Sequence, residues 1–325
     1  LDAPAVLPGA LLGYSEAQYR ERERWNARLS DHRQWISEPF DPAAPGAVID
    51  WAPAWSLRRN ERRYVPLACC YAEVPDESGA AYARAGSNGV AAGNCLEEAI
   101  LQGLLEVIER DAAGIWWYSR ARRPAWDLES FGDPYFAALR EDYARQGFEL
   151  WSLDLTHDLG VPVCAALAHN KRTGRFTIGF GCHLDEHLAV QRALTEVNQL
   201  FEPTGDRAAP WDPRLLPTTD YLFPAPHLRA AHRGARTAIA ASTSADLRGD
   251  IRACVERLSA QGLEVIAMDK TRPDLGLSVA RVLVPGLCHF WPRFGPERLY
   301  RVPRELGWID APLTEAALNP APLWI

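Results

Sequence analysis

Residues 87–111 constrain this chain more than any other stretch. Ser87-Asn88-Gly89-Val90-Ala91-Ala92-Gly93-Asn94 is rich in glycine and asparagine, residues that tolerate the backbone of tight turns. It feeds directly into a strongly apolar run, in which Glu98, Gln102, Glu106 and Glu109 recur at steps of four, four and three. That spacing places them on one face of a helix, with Leu101, Leu104, Leu105, Ile108 and Ala112 covering the other side. The acidic stripe has two readings. It is a solvated helix face, or it is a seat for a cation, because Lys and Arg are scarce along it and solvated helices usually mix signs.

The rest of the chain supplies ample material for a core around such a helix: 325 residues, 47% hydrophobic and 24% charged, enough for one large domain or two closely packed ones. A net charge of -7 argues against a nucleic-acid partner, which demands a basic footprint. Seven cysteines without a CxxC pair suit a reducing compartment and read as small core residues. No apolar run reaches transmembrane length and no signal-peptide pattern is present, so the expectation is a cytoplasmic protein with no membrane partner. The chain starts at Leu1 and has a single methionine, Met268, so a fragment of a longer protein is expected.

Along the chain, Ser15 is placed to cap a charged helical run ending near Leu29. Ala47–Pro53 approaches a short strand, and Arg63–Tyr71 is β-rich, with Pro66 favouring a sheet edge or a strand start. Trp116, Trp117 and Tyr118 read as core aromatics. Phe136–Gln146 reads as a helix closed by Gly147, followed by strands over 148–155, 161–168 and 176–181. A second helix runs to Gln199, with Arg192, Glu196 and Gln199 on one face, and repeats the opening layout in miniature. Pro203–His227 reads as a loop or lid. A helix to Gln261 closed by Gly262 and strands over 263–269 and 277–284 complete a pattern that is α+β or mixed α/β.

No Walker A loop occurs. Gly179-Phe180-Gly181 is a weak fragment of a dinucleotide fingerprint, and no nucleophilic triad stands out. His183 and His187 are four apart but outside an HExxH frame, which favours capping or loop roles over zinc. What remains is two glycine-led helices with carboxylates on one face. Oxygen ligands of this kind suit magnesium, which bridges carboxylates to phosphates.

On these residues the chain resembles the YcaO family. The matching segments are Ser87-Asn88-Gly89 through Glu106-x-x-Glu109-Arg110-Asp111, and Gly181-Cys182-His183 through Arg192-Ala193-Leu194-Thr195-Glu196-x-x-Gln199. The branch resembled is the SagD-like, azoline-forming cyclodehydratase of thiazole/oxazole-modified peptide biosynthesis. Tyr14–Tyr19, Trp51–Leu57, Trp116-Trp117-Tyr118, Leu153–Thr156, Val284–Trp291 and Asn319–Pro322 extend the resemblance over nearly the whole chain.

The resemblance implies a single α+β domain over 1–325, with mixed or antiparallel sheets packed with helices around a non-P-loop ATP site. It implies ATP and Mg2+ as cofactors, with Glu106, Glu109 and Glu196 as metal ligands. Ser87, Asn88, Arg110 and Gln199 become nucleotide or phosphate contacts, and Pro320 and Pro322 of the C-terminal tail shape the catalytic end. Two departures stand out: Gln102 occupies a position that is often serine in the family, and the tail falls short of PxPxP. The implied chemistry starts when a Cys, Ser or Thr side chain of a precursor peptide attacks the preceding backbone carbonyl. The resulting oxyanion takes the ATP γ-phosphoryl group, and phosphate leaves to give the thiazoline or oxazoline. The implied partners are that peptide, a leader-binding E1-like or RRE protein or fused domain, an FMN dehydrogenase and a second copy in a homodimer; the alternative is a non-catalytic docking scaffold.

Overall fold

A computed structural model describes residues 3–21, 48–75, 79, 82–83, 85–201, 216–231 and 246–323. The elements in chain order are α1 (Pro8–Leu12), α2 (Glu16–Arg20), β1 (Trp51–Ser56), β2 (Glu61–Pro66), β3 (Val90–Gly93) and α3 (Leu96–Ser119). Next come α4 (Pro134–Arg145), β4 (Phe148–Asp154), β5 (Val163–Asn170), β6 (Phe176–Cys182) and α5 (Glu186–Leu200). The last are α6 (Leu247–Ala260), β7 (Ile266–Asp269), β8 (Ser278–Leu283) and α7 (Arg298–Glu305). Two compact units result, one from residues 1–110 with 245–298, the other from 111–244 with 299–325. The chain passes from the first to the second inside α3, between Arg110 and Asp111.

The first unit is built on a five-stranded sheet in the order β2-β1-β7-β8-β3, antiparallel throughout. Pro66 ends the edge strand β2, as its missing N–H dictates. The core beneath the sheet joins Ala52, Ala54, Val65, Cys69, Cys70, Ile266 and Met268. Ser15 caps α2 as its sequence position predicts, its hydroxyl accepting from Gln18 N–H at 3.0 Å. The continuation to Leu29 lies outside the described residues past Glu21. Buried Gln18 donates to the Pro292 carbonyl (3.0 Å) and accepts from Phe294 N–H (3.0 Å), so this short helix fixes the loop that follows β8.

The second unit holds the three-stranded antiparallel sheet β4-β5-β6 with α4 and α5. Central β5 is buried almost end to end, and its Cys164, Ala166 and Ala168 pack with Val190, Ala193, Leu194 and Val197 of α5. Small strand residues allow the helix to lie close. Trp116, Trp117 and Tyr118 are core, as read from sequence, with exposures of 0, 0 and 1%. Full burial of each ring contributes roughly 1.5–3 kcal/mol. Six cysteines are buried and Cys95 is half-buried, and burial raises the Cys69 thiol to about 12 and the Cys70 thiol to about 11. No described helix is long and apolar enough to cross a membrane.

The β-rich run Arg63–Tyr71 is strand only as far as Pro66 and turns to 3-10 helix at Leu67–Cys69; three further differences from the sequence reading are local. The glycine-bearing lead-in to α3 is partly a strand, β3, zipped to β8 in the register Val90↔Arg281 to Gly93↔Ser278. The strand after α6 starts at Ile266 rather than Leu263, because Gly262 in left-handed backbone still belongs to the helix stop. α7 has no counterpart in the sequence reading and contains Pro303. The Pro203–His227 loop falls outside the described residues up to 215, and its remainder is irregular apart from a turn of 3-10 helix at Asp220–Leu222.

Candidate active site

In the first unit, the turn at 87–89 is pressed onto the middle of α3. Gly103 permits this, since a Cβ there would lie 2.7 Å from the Gly89 carbonyl oxygen. Gly89 itself has φ +75 and no room for a side chain, with Val282 O 2.1 Å from an added Cβ. The close approach lets Glu106 Oε2 accept from Gly89 N–H at 2.7 Å. Glu106 Oε1 and Glu109 Oε1 each lie 3.4 Å from Arg110 nitrogens. The stripe is therefore less devoid of cations than its sequence suggests. Arg110 folds back onto it from the next turn; off the stripe, Glu97 pairs with Arg248 at 2.9 Å. Glu98 turns to the helix start, accepting from Asn94 N and Nδ2. Ser87 is exposed, and its carbonyl closes the turn by accepting from Val90 N–H.

Beside this turn lies a cavity of about 120 Å3 walled by Asn88, Arg110, Arg281, His289, Trp291 and Arg293, with no carboxylate in its lining. It is smaller than the roughly 300–1,000 Å3 of sites that enclose a whole ligand, and suits a phosphate group. Arg281 on β8 is 6% exposed. Its Nη1 donates to the Gly86 carbonyl at 2.8 Å, while its Nε, like Asn88 Nδ2, is buried without an acceptor. Buried donors rarely stay unsatisfied, so both mark a place for ligand oxygens. Arg110 lies over the Phe290 ring at 4.7 Å and Arg293 over Tyr14 at 3.9 Å. His289 accepts Trp291 N–H on Nδ1 (2.8 Å), which leaves Nε2 to carry the proton. Burial, then Arg293, Arg110 and Arg281, hold this imidazole well below its ordinary pKa. Arg281, His289 and Arg293 lie beyond the sequence-derived site; the segment Val284–Trp291 includes His289 but neither arginine.

Two carboxylates one turn apart, next to buried donors that lack acceptors, fit a magnesium-bearing phosphate ligand, since Mg2+ takes one or two carboxylates and completes its shell with phosphate and water. Among the described residues no group of three or more His, Cys, Asp or Glu forms an all-protein metal cage.

The second unit repeats the device. Gly179 and Gly181 lie against α5, where a Cβ would stand 2.5 Å from Val197 N and 2.2 Å from Ala189 O respectively. Phe180 N–H donates to Glu196. The glycines thus serve strand–helix contact, not a dinucleotide loop. Arg192 reaches back to the Cys182 carbonyl at 3.2 Å, and Gln199 is exposed on the same helix. A groove of about 880 Å3 along α4 and β4 is larger than the cavity of the first unit but contains none of the motif residues. On the tail, Pro320 is exposed and Pro322 half-buried.

The histidines of the zinc question are structural. His183 Nδ1 accepts from Asp185 N–H (3.0 Å), and His187 Nε2 meets Asp133 Oδ2 at 2.6 Å. Burial and the neighbouring Arg192, against the weaker pull of Asp185, push the His183 pKa down to about 4. A depressed histidine binds its proton more readily in the unfolded chain, so stability is lost as pH drops from 6.5 to about 4. Thermal unfolding at pH 7 and pH 5 should show this fall, and His183→Gln should flatten it; an unchanged slope would rule His183 out as its source.

A family model described as YcaO cyclodehydratase, ATP- and Mg2+-binding, matches residues 1–288. Among solved structures, a heterocyclase in complex with substrate and cofactor superposes with a TM-score of 0.87 at 41% identity, covering 98% of this chain and 43% of that one. The heterocyclase TruD gives 0.83 at 40% identity, covering 99% and 46%. YcaO from Methanopyrus kandleri bound with AMPPCP and Mg2+ gives 0.59 at 29% identity, covering 73% and 64%. The chain spans less than half the length of the two heterocyclases.

Proposed function

The chain belongs to the YcaO family, and on that premise we propose that it is the ATP-dependent, azoline-forming domain of a peptide cyclodehydratase. It converts Cys, Ser or Thr residues of a ribosomally made precursor peptide to thiazolines or oxazolines. The observation that carries this reading is the pairing of the Glu106–Glu109 carboxylates with a neighbouring cavity whose buried donors, Asn88 Nδ2 and Arg281 Nε, await oxygen ligands.

In this reading Glu106, Glu109 and Glu196 hold magnesium, while Asn88, Arg110, Arg281 and Gln199 hold phosphate oxygens; Ser87 lies at the mouth of the same turn. Bound magnesium–ATP supplies the phosphoryl group that turns an amide oxygen into a leaving group. The guanidiniums hold negative charge in a water-poor wall, where it is stabilised most. His289, kept neutral, contributes an N–H without adding charge. The precursor peptide, a leader-binding E1-like or RRE domain, an FMN dehydrogenase that would oxidise azolines, and a second copy of the chain are the proposed partners. A cytoplasmic location accords with seven free thiols.

Titration calorimetry of the full-length enzyme with Mg-ATP should detect binding that Arg281→Gln weakens about tenfold, the loss of one charge-assisted hydrogen bond. Mass spectrometry of the precursor peptide should show one water lost per ring, only with ATP present. A full-length protein with no nucleotide binding would favour the docking scaffold instead.

A further inference from the structure

Within the first unit, the chain around α2 and the loop after β8 are clasped together beside the phosphate-sized cavity, and Gln18 is the centre of the clasp. It is 2% exposed, and its amide serves both segments. Its Oε1 accepts from Ser15 N–H at 3.1 Å and from Phe294 N–H at 3.0 Å, and its Nε2 donates to the Pro292 carbonyl at 3.0 Å. The first of these bonds belongs to the capping box of α2. The other two play no part in that helix: they hold the backbone on either side of Arg293, which lines the cavity.

Further contacts extend the clasp. Gly295 N–H donates to the Gly13 carbonyl at 2.8 Å, an approach that leaves no room for a side chain at 295, where a Cβ would stand 2.7 Å from Tyr14 O. The Arg293 guanidinium lies over the Tyr14 ring at 3.9 Å. On its other side the loop reaches the turn that precedes α3: Trp291 covers Gly86, where an added Cβ would meet the indole at 2.8 Å. The Gly86 carbonyl is the one that accepts from Arg281. Arg293 is 7% exposed, so its guanidinium has little freedom apart from the backbone that carries it. An arginine reads phosphate through a planar fork, and a displacement of about an ångström forfeits that alignment.

We propose that Gln18 is a positioning residue of the phosphate cavity: it holds the Pro292–Phe294 backbone so that Arg293 presents its guanidinium to the phosphate oxygens of the nucleotide. The proposal rests on the functional reading above. Its test is titration calorimetry of the full-length enzyme with Mg-ATP, at a temperature below the unfolding of every variant. Gln18→Met, similar in length but unable to donate, should weaken binding on the order of 5-fold, the scale of a lost neutral hydrogen bond. Arg293→Gln should weaken it about tenfold. The double variant should bind within about twofold of Arg293→Gln alone, because the amide acts through the guanidinium. Gln18→Glu keeps an acceptor for the Ser15 and Phe294 N–H groups and loses only the donor to Pro292; it should shift Kd in the same direction, and it carries the test where Gln18→Met does not fold. Wild-type affinity in the Gln18 variants would overturn the positioning role and leave a structural clasp. So would a double variant whose losses multiply, or the failure of both Gln18 variants to fold. A wild-type enzyme that binds no Mg-ATP is a different result: it removes the functional reading, and the role of Gln18 falls with it.

Discussion

Glu106→Gln in the full-length enzyme is expected to reduce azoline formation on the order of 100-fold, the scale seen when one preorganised charge-stabilising group is lost, with little change in folding. The substitution is chosen for what it retains. Glutamine keeps a side-chain oxygen that can accept the Gly89 N–H now held by Glu106 Oε2 at 2.7 Å, so the turn stays against α3. It removes the negative charge that would bind magnesium and that faces Arg110. The magnesium concentration for half-maximal rate should rise along with the loss of kcat. Glu98→Gln is the control from the same stripe: its carboxylate serves the helix start by accepting from Asn94 N and Nδ2, and its rate should stay within about twofold of wild type, surface changes of this kind being small. Full activity in Glu106→Gln would reduce Glu106 to a latch for the turn and end its assignment as a metal ligand.

How much of this was legible in the sequence divides along local and non-local lines. The 3.6-residue period of α3 placed Leu104, Leu105 and Ile108 inside, where all three are at most 1% exposed. Ser15 announced its helix, and Trp116 and Trp117 their core. β3 was not legible, because Val90-Ala91-Ala92-Gly93 has neither alternation nor β-branched weight; its strand state comes from β8, nearly two hundred residues further along the chain. The same pairing aligns Arg281 with Val90, beside Asn88, which is why the cationic wall of the cavity was invisible to motif reading. His289 and Arg293 reach that wall through a loop fastened by Gln18, a link no local pattern encodes. The stripe looks poor in cations in the sequence because its partner, Arg110, sits in its own next turn and folds back onto Glu106 and Glu109.

Gly181→Ala, which adds one methyl group, should destabilise the protein by more than about 3 kcal/mol, at the upper end of overpacking costs. The new carbon would stand 2.2 Å from Ala189 O and 2.5 Å from Ala193 N, both backbone atoms of α5, so no side chain can yield to make room. The helix must lift off β6 over the span where Val190, Ala193 and Leu194 meet Cys164 and Ala166. Glu196, which takes its bond from Phe180 N–H in the adjoining strand residue, would lose its fixed position. Gly147→Ala supplies the contrast: it has φ +83 but nothing within 4 Å of an added Cβ, so its cost should be the backbone penalty alone, roughly 1–2 kcal/mol. Urea unfolding of the two variants separates contact from conformation. If Gly181→Ala proved no worse than Gly147→Ala, strand and helix would not approach as closely as described. The glycine pair would then be open again to a ligand, as its partial fingerprint first suggested.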